Sequence, residues 1–335
     1  IGGLKPFSAE FTDQKKYGDC KALSNYMKAT LNAIGIKSHV VIIRAEYNSE
    51  PLDPSFPTDN FNHAVLCVPL SKDSVWLECT SPTAEFGVLG TSTENRNALL
   101  LTDDGGVLVP TPKSKSGDNV FATHTTVQLM DDLSGKTESV FTTKGEYKEM
   151  MNSILKEKKD DQKESIVLYL GFKQPDDFIL SQDKAAGDHI SKLEMAVAKI
   201  PEFNSGNKLF INPRIYKMWS SKIPKAEDRK LDFYFRYPFE KYDTTILKFP
   251  EGFKPDVLPK EKKLSCAYAN FSSAYRYDEK ANAVYSTSSL ILKQHKIPAA
   301  EYAGVKKFFD EIMQDDGEKI VIKKPDTKPV EKKAF

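Results

Sequence analysis

The chain has 335 residues, a length that corresponds to about two domains. Because 40% of the residues are hydrophobic and 28% are charged, the chain cannot be disordered over most of its length. Its 48 basic and 47 acidic residues nearly cancel, and this balance gives no global field for a polyanion, so no nucleic acid partner is expected. No apolar run approaches the roughly 20 residues that cross a bilayer, and no membrane span is expected.

The cysteines are too few and too scattered for a disulfide framework, so at least one thiol is available for chemistry. They are Cys20, Cys67, Cys79 and Cys266. The chain opens with Ile1 rather than Met and shows no signal-peptide pattern. We therefore expect a processed or truncated form, in which the N-terminal part of the first domain is missing.

The first predicted element is a helix over Leu23–Ile34, which has apolar residues at helical spacing. Asp19 is a good N-cap, and Gly35 stands where a helix end favours a left-handed residue. This pattern places Cys20 in the first helical turn. A strand rich in Val and Ile is predicted next, over residues 39–45.

Two more strands, 61–68 and 74–79, are predicted around a four-residue loop, 69–72. Pro69 is assigned to the loop because proline cannot donate to a strand ladder. This loop length pairs Val68 with Asp73, and every other pair follows from that register.

The predicted register sets His63 directly opposite Glu78 and Trp76 opposite Val65, all on one face. Cys67 shares this face. The hairpin therefore predicts a His and a Glu side chain in contact, with an aromatic ring close by.

Beyond the hairpin, a second hairpin is predicted, with strands 98–102 and 107–109 and an Asp-Asp-Gly-Gly turn. Residues 110–118 resemble a linker. We predict an α+β chain with a core domain at 1–112, a mostly antiparallel β-sandwich with helical insertions at 113–326, and a mobile tail at 327–335.

Alternating and turn-punctuated segments make up the predicted sandwich. The strands are 120–130, 137–143, 208–215, 230–237, 244–249, 264–278, 283–293 and 319–322, and the helices are 147–158 and 299–313. The charge run 156–163 is interpreted as a solvated face or loop.

Cys20, His63 and Glu78 together match the nucleophile, base and orienting acid of a thiol hydrolase. A helix N-terminus favours a thiolate at Cys20, because backbone N–H groups there are unpaired. His63 would hold that thiolate as an ion pair and later protonate the leaving group. Glu78 would fix the His63 tautomer, and Trp76 would form a wall that shields the contact from water.

The motifs around these residues resemble the bacterial branch of the transglutaminase-like superfamily. They are YGDCKALS at 17–24, LNAIGI at 31–36, FNHAV at 61–65 and WLECTSP at 76–82. The resemblance implies a papain-like α+β core with a Cys-His-Asp triad at Cys20, His63 and position 78. This chain has Glu78 where the family most often has Asp, so its carboxylate reaches about one bond farther.

The rest of the chain is similar to secreted multidomain proteins of Bacteroidetes-type bacteria, through the segments 103–112, 235–239 and 250–259. This resemblance implies a periplasmic, secreted or cell-envelope location. The transglutaminase-like motifs imply a peptide or protein substrate, and a glycan or another cell-envelope component is a further candidate partner. The backbone N–H of Cys20 is the only candidate that the chain offers for an oxyanion hole.

Two other site classes are disfavoured by the pattern. Zinc at His63, Cys67, Glu78 and Cys79 is disfavoured because the register turns Cys79 to the opposite face, and no cofactor or metal is expected. The aromatic and basic residues of 232–242 suggest a nucleic-acid platform, but alternating aromatics on a strand are more typical of a sandwich core.

Two functions from different classes remain. The favoured one is a cysteine peptidase or amidase, or a protein-glutamine acyl transferase, acting through a thioester at Cys20. The alternative is a non-catalytic binding or scaffolding protein on the same fold.

Overall fold

The structure is a computed structural model that describes residues 5–47, 51–56, 58–82, 84–183, 185, 187, 189–225 and 229–325. It has α+β architecture, as predicted. Contacts divide the chain into a first unit, residues 1–115 with 234–237, and a second unit, residues 116–233 with 238–335. The predicted domain boundary at 112/113 stays a prediction, and the tail predicted at 327–335 lies outside the described residues.

The first unit joins two helices to an antiparallel sheet. Its elements are α1 Ala9–Lys15, α2 Cys20–Ala33, β1 His39–Ile43, β2 His63–Pro69, β3 Ser74–Leu77, β4 Asn97–Thr102 and β5 Gly105–Pro110. The strand order in the sheet is β3-β2-β1-β4-β5. The predicted hairpin of β4 and β5 is confirmed, since Thr102 pairs with Gly105 around the Asp-Asp turn.

Helix α2 has the predicted caps. The Asp19 side chain accepts a hydrogen bond from Ala22 N at 2.9 Å, and Gly35, just past the helix, has φ 79°. The side chains of Ala22 and Ser24 are fully buried, and Ser24 Oγ donates to Ala64 O at 3.3 Å. Helix α2 is therefore fastened to β2 one turn after Cys20.

The register of β2 and β3 differs from the prediction by two residues. Trp76 pairs with Cys67, and Val68 pairs with Val75. The reason is that Pro69 ends β2 and pairs with Ser74 instead of lying in the loop. A shift of two keeps every side chain on its predicted face, because strand faces alternate with a period of two.

The second unit contains an eight-stranded and a four-stranded sheet. Its helices are α3 Glu146–Ile154, α4 Lys159–Leu168 and α5 Tyr302–Asp315. Its strands are β6 Val120–Leu129, β7 Gly135–Lys144, β8 Asp177–Gln182, β9 Ile190–Val197, β10 Phe203–Ser205, β11 Lys208–Ile211, β13 Phe239–Lys248, β14 Lys254–Val257, β15 Lys262–Ser265, β16 Ala269–Asp278, β17 Ala283–Leu292, β18 Lys296–Ile297 and β19 Ile320–Lys323. The short strand β12 Phe233–Tyr234 lies at the boundary, with Phe233 in this unit and Tyr234 in the first. Short 3-10 helices lie at Ser116–Asp118 and Ala299–Glu301.

The larger sheet has the order β15-β16-β17-β13-β6-β7-β9-β8, and the smaller has the order β10-β11-β19-β14. Neighbours in the larger sheet are antiparallel except β6 and β13, which are parallel. One apolar cluster takes residues from both sheets, for example Val127 and Leu247 from the larger and Leu209 and Ile322 from the smaller. The two sheets therefore share one core.

The predicted strand over 264–278 is two strands, β15 and β16, which pair with each other. The structure also has elements that the sequence prediction missed: α1, α4, β8, β9, β10, β14 and β18. Helix α4 begins at Lys159, inside the charge run that was assigned to a solvated face or loop. Its first turn is exposed, so the solvated part of that interpretation fits.

Candidate active site

Cys20 is the first residue of α2, directly after the N-cap, as the sequence predicts. Its side chain is half-buried and free of any disulfide. The Asp19 carboxylate beside it accepts from Lys21 Nζ at 2.8 Å, and this bond lowers the pKa of Asp19 although partial burial opposes it. Asp19 therefore stays ionised and bound to its own helix.

His63 and Glu78 are in contact. The imidazole Nε2 of His63 donates to Oε2 of Glu78 at 2.9 Å. His63 is the first residue of β2, and Glu78 directly follows the last residue of β3. Both side chains are shielded, being 18% and 11% exposed. The bond fixes one ring nitrogen of His63 and leaves Nδ1 for another partner.

Thr80 is a contact of Glu78 that the sequence prediction missed. Its backbone N–H donates to Oε1 of Glu78 at 3.0 Å, and its hydroxyl donates to the same oxygen at 2.5 Å. Burial raises the pKa of Glu78, but the hydrogen bonds from His63 and Thr80 outweigh it and bring the pKa below its usual value. A Thr two residues after an acid is the sequence signal that would have indicated this contact.

Cys20 and His63 belong to elements that pack together. Ser24 lies one turn after Cys20, and its acceptor, Ala64 O, belongs to the residue after His63. Within the described residues, no hydrogen bond joins Cys20 Sγ to the His63 ring. The structure thus brings His63 and Glu78 into direct contact and fastens the Cys20 helix beside them.

Trp76 occupies the core of the first unit. It is 4% exposed and belongs to an apolar cluster with Cys67 and Val65 among its members. Trp76 and Glu78 share a face of the hairpin, but the cluster around Trp76 gives this ring a packing role.

Cys67 and Cys79 lie in surroundings that disfavour a reactive thiol. Burial raises the pKa of Cys67 and of Cys79, which disfavours their thiolates. Cys79 Sγ donates to Leu77 O at 3.7 Å. Cys266 lies in the second unit, far along the chain from the hairpin.

Among the described residues, no three His, Cys, Asp or Glu side chains converge to hold a metal ion. None of the helices that the structure describes has the length and hydropathy needed to span a membrane.

Comparisons with known proteins locate one similarity in sequence and one in structure. Residues 207–322, about a third of the chain, match the family described as "Domain of Unknown Function with solved-structure structure (DUF3858)". No curated protein matches the chain. A solved structure of a "putative protease" from Parabacteroides distasonis aligns with a TM-score of 0.49 and 13% sequence identity, over 94% of this chain and 46% of that chain. The chain therefore spans about half the length of that protein.

Proposed function

We propose that the protein is a cysteine-dependent enzyme of amide bonds with a transglutaminase-like core, in which Cys20 is the nucleophile, His63 the base and Glu78 the orienting acid. The observation that carries the proposal is the 2.9 Å hydrogen bond from His63 Nε2 to Glu78 Oε2, beside a helix that begins at Cys20. This is the order of partners that a thiol nucleophile needs.

The first half-reaction consumes an amide. The Cys20 thiolate attacks the carbonyl carbon, and His63, protonated at Nδ1, gives that proton to the departing amine as the C–N bond breaks. The product is a thioester on Cys20. The N–H of Cys20, at the open N-terminus of α2, would stabilise the negative oxygen of the intermediate.

The second half-reaction resolves the thioester. A water molecule, or an amine in the acyl-transfer version, loses a proton to His63 as it attacks the thioester carbon. The C–S bond then breaks and returns the thiolate to Cys20. Glu78 stays ionised throughout, because it accepts hydrogen bonds from both His63 and Thr80.

The proposed substrate is a peptide or protein, and the proposed location is the cell envelope or the secreted space. The location rests on the segments 103–112, 235–239 and 250–259, which are similar to secreted multidomain proteins. The substrate rests on the motifs at 17–24, 61–65 and 76–82, which resemble the bacterial branch of the family. Hydrolysis is favoured over acyl transfer on the same ground.

A peptide library and a glutamine peptide test the proposal on the full-length protein. We expect peptide cleavage or ammonia release, and loss of that activity in Cys20→Ala and His63→Ala. Cys266→Ala is the matched control and should keep full activity, because Cys266 lies in the second unit. Alkylation of Cys20 by iodoacetamide should also slow in His63→Ala.

One observation favours a second candidate, a non-catalytic binding protein: in the described part of the chain Cys20 has no hydrogen bond to His63. Catalytic contacts often tighten only when substrate binds, so this does not exclude the enzyme. Inert full-length protein, together with a Cys20 alkylation rate that His63→Ala leaves unchanged, would refute the enzyme and favour the binding protein.

A further inference from the structure

We infer that Thr80 is a positioning residue, which holds the Glu78 carboxylate in the orientation that fixes the His63 ring. The inference rests on the proposed function, because it assigns a role within that same site. It adds a fourth residue to the three that the sequence pattern indicates.

The two oxygens of Glu78 have separate partners. Oε2 accepts from His63, whereas Oε1 accepts from both the N–H and the hydroxyl of Thr80. A carboxylate that is bonded through only one oxygen can still rotate about its last bond. Bonds to both oxygens fix the plane of the carboxylate, and with it the direction from Oε2 to the imidazole.

The strand register explains why Glu78 needs this support. Leu66 pairs with Leu77 at the end of the β2–β3 ladder, so continuing the register would set Val65, and not His63, opposite Glu78. Glu78 therefore approaches His63 diagonally, a direction in which only a long side chain makes contact. The glutamate has the length for this approach, and it has one more rotatable bond than aspartate.

Thr80 restrains that extra bond. It lies two residues beyond Glu78, past the end of β3, and its N–H and hydroxyl turn back toward the glutamate as in a local side-chain turn. Thr80 itself is exposed, so its hydroxyl contributes little to the core. Replacing its side chain removes the hydroxyl bond and leaves only the backbone N–H on Oε1, so Glu78 should be held less firmly, without a cavity being formed.

The test uses Thr80→Ala, Thr80→Val and Thr80→Ser in the full-length protein. Thr102→Ala is the matched control, because the Thr102 hydroxyl donates to Gly105 O at 2.8 Å in a hairpin of the same unit. Nitrogen NMR shifts of His63 report which ring nitrogen carries the proton, with or without activity. Steady-state kinetics on a cleaved peptide separate kcat from KM.

In Thr80→Ala and Thr80→Val we expect kcat to fall about fivefold with KM unchanged, which is the effect of one ordinary hydrogen bond. We also expect the proton of neutral His63 to be shared between Nε2 and Nδ1 instead of held at Nε2. Thr80→Ser, which keeps a hydroxyl, should restore both, and Thr102→Ala should change neither.

An unchanged His63 tautomer in Thr80→Ala and Thr80→Val would overturn the inference, whatever the activity. The same tautomer shift in Thr102→Ala would also overturn it, because the effect would then not be specific to Glu78. Failure of the proposed function gives a different result, namely no turnover in the wild type while the His63 tautomer still responds to Thr80. Melting curves of the variants confirm that each one is folded.

Discussion

Nε2 of His63 and Oε2 of Glu78 lie 2.9 Å apart, although the register of β2 and β3 makes the two residues diagonal neighbours. The contact therefore depends on the length of the glutamate side chain and on how that side chain is held.

Two substitutions of Glu78 should distinguish the contribution of its charge to activity from the contribution of its length. Glu78→Gln keeps the shape but removes the charge that stabilises protonated His63, and we expect kcat to fall about 10²- to 10⁴-fold. Glu78→Asp keeps the charge, but its side chain is one bond too short to reach His63 on the neighbouring strand, so we expect a smaller fall in kcat. Steady-state kinetics measure both, and full activity in Glu78→Gln would contradict the role of this carboxylate.

Trp76 should contribute to stability through packing. Trp76→Ala removes a side chain that is 4% exposed and contacts an apolar cluster, so the free energy of unfolding should fall by about 3 to 5 kcal/mol. Phe86→Ala is the control, because Phe86 is 83% exposed and its loss should change that free energy by about 0.5 kcal/mol or less. Urea unfolding compares the two, and equal effects would contradict the assignment of Trp76 to the core.

Arg214 should be needed for the second unit to fold stably. Its guanidinium is 2% exposed and donates to Asp315 at 3.0 Å and to Asp316 at 2.7 Å. Arg214→Met would leave buried carboxylates without a counter-charge, and we expect a loss of about 3 to 5 kcal/mol in the free energy of unfolding.

An exposed ion pair serves as the comparison for the buried pairs of Arg214. Lys159 binds Asp177 at 2.9 Å with both side chains more than half exposed, so Lys159→Met should cost less than about 1 kcal/mol. Thermal or urea unfolding of Arg214→Met that matched Lys159→Met would show that the buried network contributes little.

Asp243 should make stability depend on pH. It is 2% exposed, and burial raises its pKa to about 6, against the hydrogen bonds of Thr123 and Thr245 and the charge of Arg214. A raised pKa means that the folded protein keeps this proton where the unfolded chain releases it. The stabilisation is therefore complete below about pH 4 and is lost as the pH rises through about 6.

The size of this effect is at most about 3 kcal/mol, from a shift of about two pH units. Asp243→Asn should flatten the fall in unfolding free energy between pH 4 and 6. Asp316 contributes a slope of the same sign, because burial raises its pKa too, so some dependence should persist. Urea unfolding at several pH values checks this, and an unchanged slope in Asp243→Asn would contradict it.

Local patterns predicted much of the first unit. Asp19 and Gly35 marked the ends of α2 because caps are set by neighbouring residues, and the Asp-Asp-Gly-Gly turn marked the β4–β5 hairpin for the same reason. The predicted register of β2 and β3 was wrong by two. Strand propensity assigns Pro69 to the loop, whereas in the structure Pro69 is the last residue of β2 and pairs with Ser74.

Elements that depend on distant partners were harder to predict. Helix α4 buries few residues, among them Ser165 and Ile166, so it shows no clear helical spacing of apolar residues in the sequence. The charged residues of its first turn were therefore interpreted as a solvated face or loop. Thr80 was missed because its role is a hydrogen bond to Glu78, and a hydrogen bond leaves no periodicity. Contact between His63 and Glu78 was expected from the predicted register, and it is kept in the structure because a shift of two leaves both side chains on the same face.

The one parallel pair of the larger sheet has a consequence for how the second unit is assembled. Strands β8, β9, β7 and β6 form one antiparallel run, and β13, β17, β16 and β15 form another, so β6 and β13 alone join them. Val120 pairs there with Glu240, although the two residues are far apart in the sequence. Bringing them together therefore costs chain entropy. During synthesis, β6 would emerge long before β13 and remain an open edge, so partial chains ending before residue 239 should aggregate more readily than the complete one.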